Sequence, residues 1–375
     1  MNINKIQCIN GIRAFVAAML LATVWVVPAV AASDKAPDGK DTSKRLEEVK
    51  RALGEGREKA RQLKNKAQAI ERDLATLRRD MVAAGLDDRA ILHRKRAGQI
   101  VPLRHGAYAL ATAWQTADGR TRHLMLSEAV LGLFREDVAL SHVSAAITYG
   151  APDWQVPLGE AHLTSLHRIG ERNRARVRHH RGELGVLDVT RSEGHWITTP
   201  TRTALDTASI LTRDAAVCVL DWFIEQGTTS LPELRSTLDA RDAWRDHLDL
   251  TYKLSLAVAG SQSVGETRSR LLFGDHGLPS PVLQLKIHEP GGRLVGIVDF
   301  AWPEHRLIVE FDGREKYHRH RRPGESIEEM VMREKTREDR IRELTGWTVV
   351  RITWADLARP ELLVARLRRF MAKAA

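Results

Sequence analysis

Two apolar runs joined by a short turn, GIVDFAWPEHRLIVEFDG at residues 296–313, constrain this chain more than any other stretch. Ile297, Val298 and Phe300, then Leu307, Ile308, Val309 and Phe311, have the β-branched and aromatic character of two buried strands. Asp299, Glu310 and Asp312 sit among them. A carboxylate inside an apolar sheet costs several kcal/mol unless something compensates it. These acids are therefore either paired with cations or gathered around a metal ion.

The surrounding pattern gives them a context. A helix is predicted from Val264 to Phe273, broken at HGLPSP, and followed by the runs VLQLKI and LVGIVDF, which meet at a PGG turn. HRLIVEF then completes an antiparallel meander. A helix from about Ile327 to Leu344, a fourth strand in WTVVRITW and a C-terminal helix close the chain, giving an α-βββ-α-β order. Asp299 near the end of one strand and Glu310 on its neighbour can point to the same edge of the sheet. Asp312, two residues beyond Glu310, falls on the same face, and Glu266, one turn into the preceding helix, can close the group. Four such carboxylates repel one another unless a divalent cation lies between them, and Mg²⁺ prefers hard oxygen ligands. It would polarise a phosphodiester and lower the pKa of an attacking water.

That order, with acids on the second and third strands, is the core of the PD-(D/E)XK nucleases. Residues 262–370 resemble the Vsr-like endonuclease domain in particular, with its E, Q, DF, vEfDG, H, R, G succession. Glu266, Gln284, Asp299, Glu310, Asp312 and Gly313 match it. The resemblance implies a Mg²⁺-dependent endonuclease with Asp299, Glu310, Glu266 and Asp312 as metal ligands. Two departures matter. Asp312 replaces the lysine of the usual E-x-K, so Lys335 on the following helix is the candidate for the missing cation. The loop REKYHRHRRPGES carries His318 and His320 where one histidine is common, and His318 is the candidate general acid or base. Plainer readings stand beside these: a salt bridge from Glu266 to Arg268 or Arg270, Gln284 satisfying a strand edge, surface charge for the histidines. REKTREDRIRE, residues 333–343, reads as a helix laced with opposite charges, from which Arg333, Arg337 and Arg340 can reach a nucleic-acid backbone.

Further upstream, residues 77–111 read as a helix ending at Gly85, a second helix capped by Asp87 or Asp88 and closed at Gly98, and a ribbon turning at His105 and Gly106. This is the order of a winged helix-turn-helix. Arg89, His93, Arg94, Lys95 and Arg96 would line the helix entering the major groove of duplex DNA, with Arg104 on the wing against phosphates. The alternative is a solvated basic helix packed on a hairpin. Here the chain resembles the AbiEi family of antitoxins, and ALSHVSAAITYGAP at 139–152 and ITTPTRTALDTASI at 197–210 extend the likeness over residues 74–225. The resemblance implies a transcriptional autoregulator with a nucleotidyltransferase-like toxin as protein partner. Between those signatures, HRIGERNRARVRHHRG at 167–182 carries Arg174, Arg176 and Arg178 among six arginines and three histidines, either an electrostatic footprint for phosphate or a solvated loop. Ser141 and His142 are expected to diverge, on opposite faces of a strand or offset on a helix, which argues against nucleophilic catalysis.

The beginning of the chain speaks for a different compartment. Lys5 and Arg13 precede the apolar run AFVAAMLLATVWVVPAVA, and AVAAS offers a cleavage site near Ala31, so residues 1–31 read as a secretory signal peptide. Residues 42–72 read as a helical, heptad-spaced segment. Together they resemble the N-terminal end of exported murein-hydrolase activators, without the peptidase metal motif. The expected organisation is then signal peptide, helical segment, winged helix at 73–111, AbiEi-like middle domain at 112–258 and endonuclease-like domain at 262–375, of α/β (α+β) class. A formal net charge of +10 and a pI near 9.8 favour a polyanionic partner, and two cysteines, Cys8 and Cys218, leave no thiol cluster for a soft metal. The leading expectation is a DNA-binding protein with a Mg²⁺-dependent nuclease-type domain. The alternatives are a non-catalytic regulator on a degenerate nuclease fold and an exported envelope protein. The globular part is expected in the cytoplasm, in conflict with the signal.

Overall fold

The computed structural model describes residues 88–104, 107–134, 137–166, 173, 176–192, 194–240, 246–313 and 327–374. The signal peptide, the heptad segment, the first helix of the expected winged domain, the turn at His105 and Gly106, and Arg174, His318 and His320 lie outside them. Among the described residues no helix is long and apolar enough to cross a membrane. The fold is mixed α/β, in two compact units: residues 88–140 with 158–198, and residues 141–157 with 199–374.

The first unit opens with α1 (Asp88–Arg96), the ribbon β1 (Ile100–Arg104) and β2 (Ala107–Leu110), and helices α2 (Ala111–Thr116) and α3 (Gly119–Phe134). Gly98 at φ +67° stops α1: its amide and that of Gln99 turn back to Lys95 O and Arg94 O, an ending a side chain would strain. A five-stranded mixed sheet follows, from β3 (Val138–Leu140), β4 (Ala161–Ser165), β5 (Val177–His180), β6 (Val189–Ser192) and β7 (His195–Thr198), in the order β5-β4-β3-β7-β6. Leu126 and Val130 of α3 are buried, as are Ala139, Leu140, Leu163, Val177 and Ile197 of the sheet. One polar pair is also inside. His162 Nδ1 on β4 and His180 Nε2 on β5 lie 2.9 Å apart with their rings stacked.

The second unit starts with α4 (His142–Tyr149) and continues with α5 (Pro200–Ile210), α6 (Arg213–Glu225), α7 (Leu231–Asp239) and α8 (His247–Ser255). Two buried cations of these helices are partnered inside. Arg202 binds both oxygens of Asp206 at 2.9 Å. Lys253 of α8, 4% exposed, donates to Ala208 O and Leu211 O and so satisfies carbonyls that the end of α5 leaves unpaired. The chain then runs through α9 (Val264–Asp275), β8 (Val282–His288), β9 (Leu294–Trp302), β10 (Leu307–Phe311), α10 (Ile327–Thr345), β11 (Thr348–Ile352), α11 (Trp354–Leu357) and α12 (Pro360–Ala374). The expected meander is present: β8, β9 and β10 are antiparallel neighbours, and β11 joins β10 in parallel, giving the order β11-β10-β9-β8. Phe300, Trp302, Val309, Phe311 and Ile352 pack on one side with residues of α9 and α12; Ile287, Val298, Ala301 and Ile308 pack on the other with Ile341 of α10.

The compact units cut across the expected middle segment. The ribbon and the five-stranded sheet share the first unit, whereas residues 199–258 pack with the C-terminal sheet. Asp221 of α6, 1% exposed, accepts Thr267 Oγ1 and Arg270 Nη2 of α9, each at 2.8 Å, and the amide of Val258. A carboxylate so enclosed needs those donors, which bind the helical layer to α9.

Burial, with repulsion from Arg178, drives the His162 imidazole down to about 2 and that of His180 to about 3; His180 and His123 add to the effect on His162, and His179 to that on His180. Both rings are thus neutral in the folded protein. Unfolded, they take protons near the ordinary histidine value of 6.5, so their stabilising effect is complete above that pH and is lost as pH falls toward the depressed folded values. Denaturant titrations between pH 7.5 and 5.5 should show stability falling by up to about 2.7 kcal/mol per pH unit from this pair below ~6.5. The variant His180→Gln should remove about half of that slope.

Candidate functional site

Asp299 of β9 and Glu310 of β10 lie on the two inner strands of the four-stranded sheet, and Asp312 lies just beyond the end of β10. Val309 and Phe300 are paired across β10 and β9, and Glu310 and Asp299 are the next residues on the two strands. Asp299 Oδ2 accepts the amide of Phe311 at 2.8 Å, so the two carboxylates belong to adjacent positions on adjacent strands. Glu310 is 8% exposed and lies between Val309 and Phe311, which face α9 and α12; its own side chain turns to the α10 side. There Oε1 accepts Arg337 Nη2 at 2.9 Å.

Of the two compensations open to Glu310, the structure shows the ion pair. Arg337 also donates from Nε to Glu334 at 3.0 Å and lies across Gly296 of β9, where a Cβ would stand 3.1 Å from Nη1. Burial lowers the pKa of this guanidinium, but attraction to Glu310 and Glu334 and the bonds to both outweigh it, so it is held above its ordinary value. Lys335, the cation expected here, is exposed. Two residues apart on a helix means about 200° of rotation, so Lys335 and Arg337 occupy opposite faces of α10. The signal was present in the sequence: Arg337 continues the stripe set by Ile341 and Leu344, where a charge must find a partner.

Glu266 and Asp312 are employed elsewhere. Glu266, 2% exposed, closes the N-terminus of α9: Ser263 Oγ accepts its amide, while its carboxylate takes Ser263 Oγ, the Gln262 amide and Gln284 Nε2. This is a capping arrangement extended by one residue from the sheet. The alternative partners weighed for Glu266 are otherwise engaged, Arg268 with Asp214 and Arg270 with Asp221. Asp312 has Arg351 Nη1 at 3.9 Å, while Arg351 binds Glu338 more closely, at 2.6 Å. Among the described residues no group of three or more His, Cys, Asp or Glu side chains is gathered tightly enough for a metal ion. Asp299 and Glu310 are neighbours, and the expected convergence of four acids is not formed.

Gln284, which matched the endonuclease pattern and for which a strand edge was the plainer reading, does more than satisfy an edge. Its φ is +49°, a left-handed value that costs a side-chain-bearing residue about 1 kcal/mol or more. It is absent from the β8–β9 pairing that includes Leu283 and Leu285 on either side. Leu283 packs with the α9 and α12 face and Leu285 with the α10 face; likewise Val298 lies on the α10 side and Phe300 on the other. Both strands thus change faces at the level of Gln284 and Asp299, contrary to the two-residue period on which the sequence reading relied. The amide of Gln284, held by Glu266, links α9 to this point.

The expected nucleic-acid residues of the first unit are distributed differently. Arg89, Lys95 and Arg96 are exposed on α1 and Arg94 is half-buried. Arg178 is exposed on the edge strand β5. Arg176 lies over the Trp114 ring and donates to Gly159 O, which fixes it within the unit. Arg104, expected to face phosphates from the wing, instead lies over the Phe134 ring at 5.0 Å, with Nε and Nη1 shielded from solvent. Packing of the ribbon on α3 turns that side chain inward. Ser141 and His142, expected to diverge, are in contact: Oγ and Nδ1 are 3.0 Å apart because His142 adopts φ +49°. Both are buried, which withdraws the serine from any substrate in solution.

These features define a mixed α/β protein whose second unit carries a carboxylate pair at the centre of a strained sheet. Over 185 residues the chain is 35% identical to the uncharacterized proteins MT2308 and Rv2248 of Mycobacterium tuberculosis, strains CDC 1551 / Oshkosh and ATCC 25618 / H37Rv. The match takes in 49% of this chain and 65% of each relative, so the chain spans somewhat less than two thirds of the curated relatives it matches. No family model matches the sequence. No solved structure matches it either.

The approach of α9 to the sheet rests on Gly265. A Cβ there would lie within the Phe311 ring, which is 3% exposed and has no room to retreat. Gly265→Ala should therefore destabilise the protein by about 1–3 kcal/mol, the usual range for an overpacked core. Gly265→Ala combined with Phe311→Leu should recover part of the loss, as read by chemical denaturation.

Proposed function

We propose that this protein binds DNA and that the four-stranded sheet of its second unit is a phosphodiesterase site of PD-(D/E)XK type. The observation that carries the reading is the adjacency of Asp299 and Glu310 on the inner strands of an α-βββ-α-β unit, beside the arginine of the following helix. The strained Gln284 at the same level supports it, since backbone strain persists where the surroundings hold it for a purpose. The donor set suits Mg²⁺, which is bound through one or two carboxylates together with substrate phosphates rather than by a full protein cage. Asp299 and Glu310 would hold the ion; when bound, it would polarise the phosphodiester and lower the pKa of an attacking water. Arg337 takes the part expected of Lys335, meeting the phosphate with a planar fork. Glu266 and Gln284 act as positioning residues that keep β8 bent.

DNA contact is assigned to the exposed residues of α1, with Arg178 on the edge of the first unit's sheet as a further phosphate contact. A toxin partner would follow from the AbiEi likeness alone, and a cytoplasmic setting from DNA as substrate. One observation favours the second reading, a regulator without catalysis: Glu310 is already neutralised by Arg337.

Nicking of supercoiled plasmid separates the two. The full chain with Mg²⁺ should convert supercoiled to open-circular DNA, and Asp299→Asn, which keeps an acceptor for the Phe311 amide, and Glu310→Gln should each abolish this without loss of folding. Absence of nicking by the wild-type chain with Mg²⁺ or Mn²⁺ leaves the regulator. Binding should survive those substitutions. Replacing Arg89, Lys95 and Arg96 together with Gln should weaken binding and lower the dependence of log K on log salt by about 0.9 per lost phosphate contact. An unchanged slope in fluorescence anisotropy would remove α1 from the interface.

A further inference from the structure

We infer that Arg337 is a latch on the carboxylate pair: it occupies Glu310 in the free protein, and a phosphodiester must draw its guanidinium away before Asp299 and Glu310 can accept a divalent cation. The inference rests on the phosphodiesterase reading of that sheet.

The geometry is that of a closed site. Arg337 places Nη2 on Glu310 Oε1 at 2.9 Å and Nε on Glu334 Oε2 at 3.0 Å, with Nη1 over Gly296. Glu310 thus has one oxygen in a charge-assisted bond inside the sheet. The guanidinium on Glu310 weakens the pull of the pair on a dication, and among the described residues no group of three or more His, Cys, Asp or Glu is gathered there to restore it. A phosphodiester changes both terms. Its two unbridged oxygens match the guanidinium fork better than one carboxylate oxygen does. Its charge also restores what the cation needs, and its oxygens complete a coordination sphere that two carboxylates leave open.

Glu334 stays beside Arg337 on the same helix and can hold Nε while the other two nitrogens turn, and Gly296 leaves the guanidinium a smooth surface to slide over. Arg351, opposite Glu310 in the β10–β11 pairing and drawn by its charge, has Glu338 as its closest partner at 2.6 Å. Cation and nucleic acid should therefore bind with positive coupling, each raising the affinity of the other by the same factor.

The test is Mn²⁺ binding to the full chain, followed by electron paramagnetic resonance with and without a duplex oligonucleotide, and counted only where it disappears in Glu310→Gln. Wild-type protein alone should bind weakly and should bind about tenfold or more tightly with the duplex, the minimum effect of a latch closed in nine molecules of ten. Arg337→Gln should bind Mn²⁺ without DNA about tenfold or more tightly than wild type does without it, because only the closed-latch factor is removed. If Arg337→Gln does not fold, as judged by its thermal melt, Gly296→Ala takes its place: a Cβ at Gly296 would crowd Nη1 and also Ile341 Cδ1, both flexible side-chain ends, and should tighten binding in the same direction. Two results overturn the latch. Variants that bind Mn²⁺ no better than wild type, while the duplex still tightens Glu310-dependent binding, refute the latch and leave the site. No Glu310-dependent binding in any variant, with or without duplex, refutes the site and the latch with it.

Discussion

The second unit depends on a buried carboxylate that belongs to no site. Asp221 sits on α6, almost wholly enclosed, and is tolerable there only because Thr267, Arg270 and the Val258 amide all turn to it. Two of those donors lie on α9, so satisfying Asp221 fixes where α9 runs. From that placement follows the contact of Gly265 with Phe311 and the capping of α9 by Glu266, and through Glu266 the position of Gln284. The strained point in β8 is thus supported from a helix layer several elements earlier in the chain.

Much of this was legible before the structure. The runs at 282–287, 294–302 and 307–311 have the β-branched character, turn residues and spacing of an antiparallel meander, and they form one. The helix at 264–275 and the last helix–strand–helix stretch follow from periodicity and breakers in the same way. Asp299 and Glu310 stood out because charge inside an apolar run is costly, and that cost does not depend on tertiary detail.

What could not be read was the sidedness of the strands. A period of two places Leu283 with Leu285 and Val298 with Phe300; both pairs are split, because Gln284 takes a backbone conformation that no local pattern announces. The expected union of Asp312 with the central pair carried the two-residue period past Phe311, the last residue of β10, and that of Glu266 rested on its place one turn into the preceding helix. Glu266 proved more useful to the helix end, where Ser263 and Glu266 spell a capping pair. Arg337 was hidden for another reason: in a helix crowded with charges of both signs, the one residue that faces inward is visible only once the apolar stripe is traced back from Ile341. In the first unit Arg104 reads as a surface cation by composition and becomes an aromatic-stacking residue by packing.

The chain passes between its two compact units three times, after Leu140, after Pro157 and after Thr198. Neither unit is a continuous length of sequence, so no single cut in the chain separates one whole unit from the other. A gene fragment that encodes only the last strands and their flanking helices would carry the acids without Asp221, and so without the helix layer that holds α9 against the sheet. Whatever chemistry resides at Asp299 and Glu310 is therefore tied to the helix layer that carries Asp221.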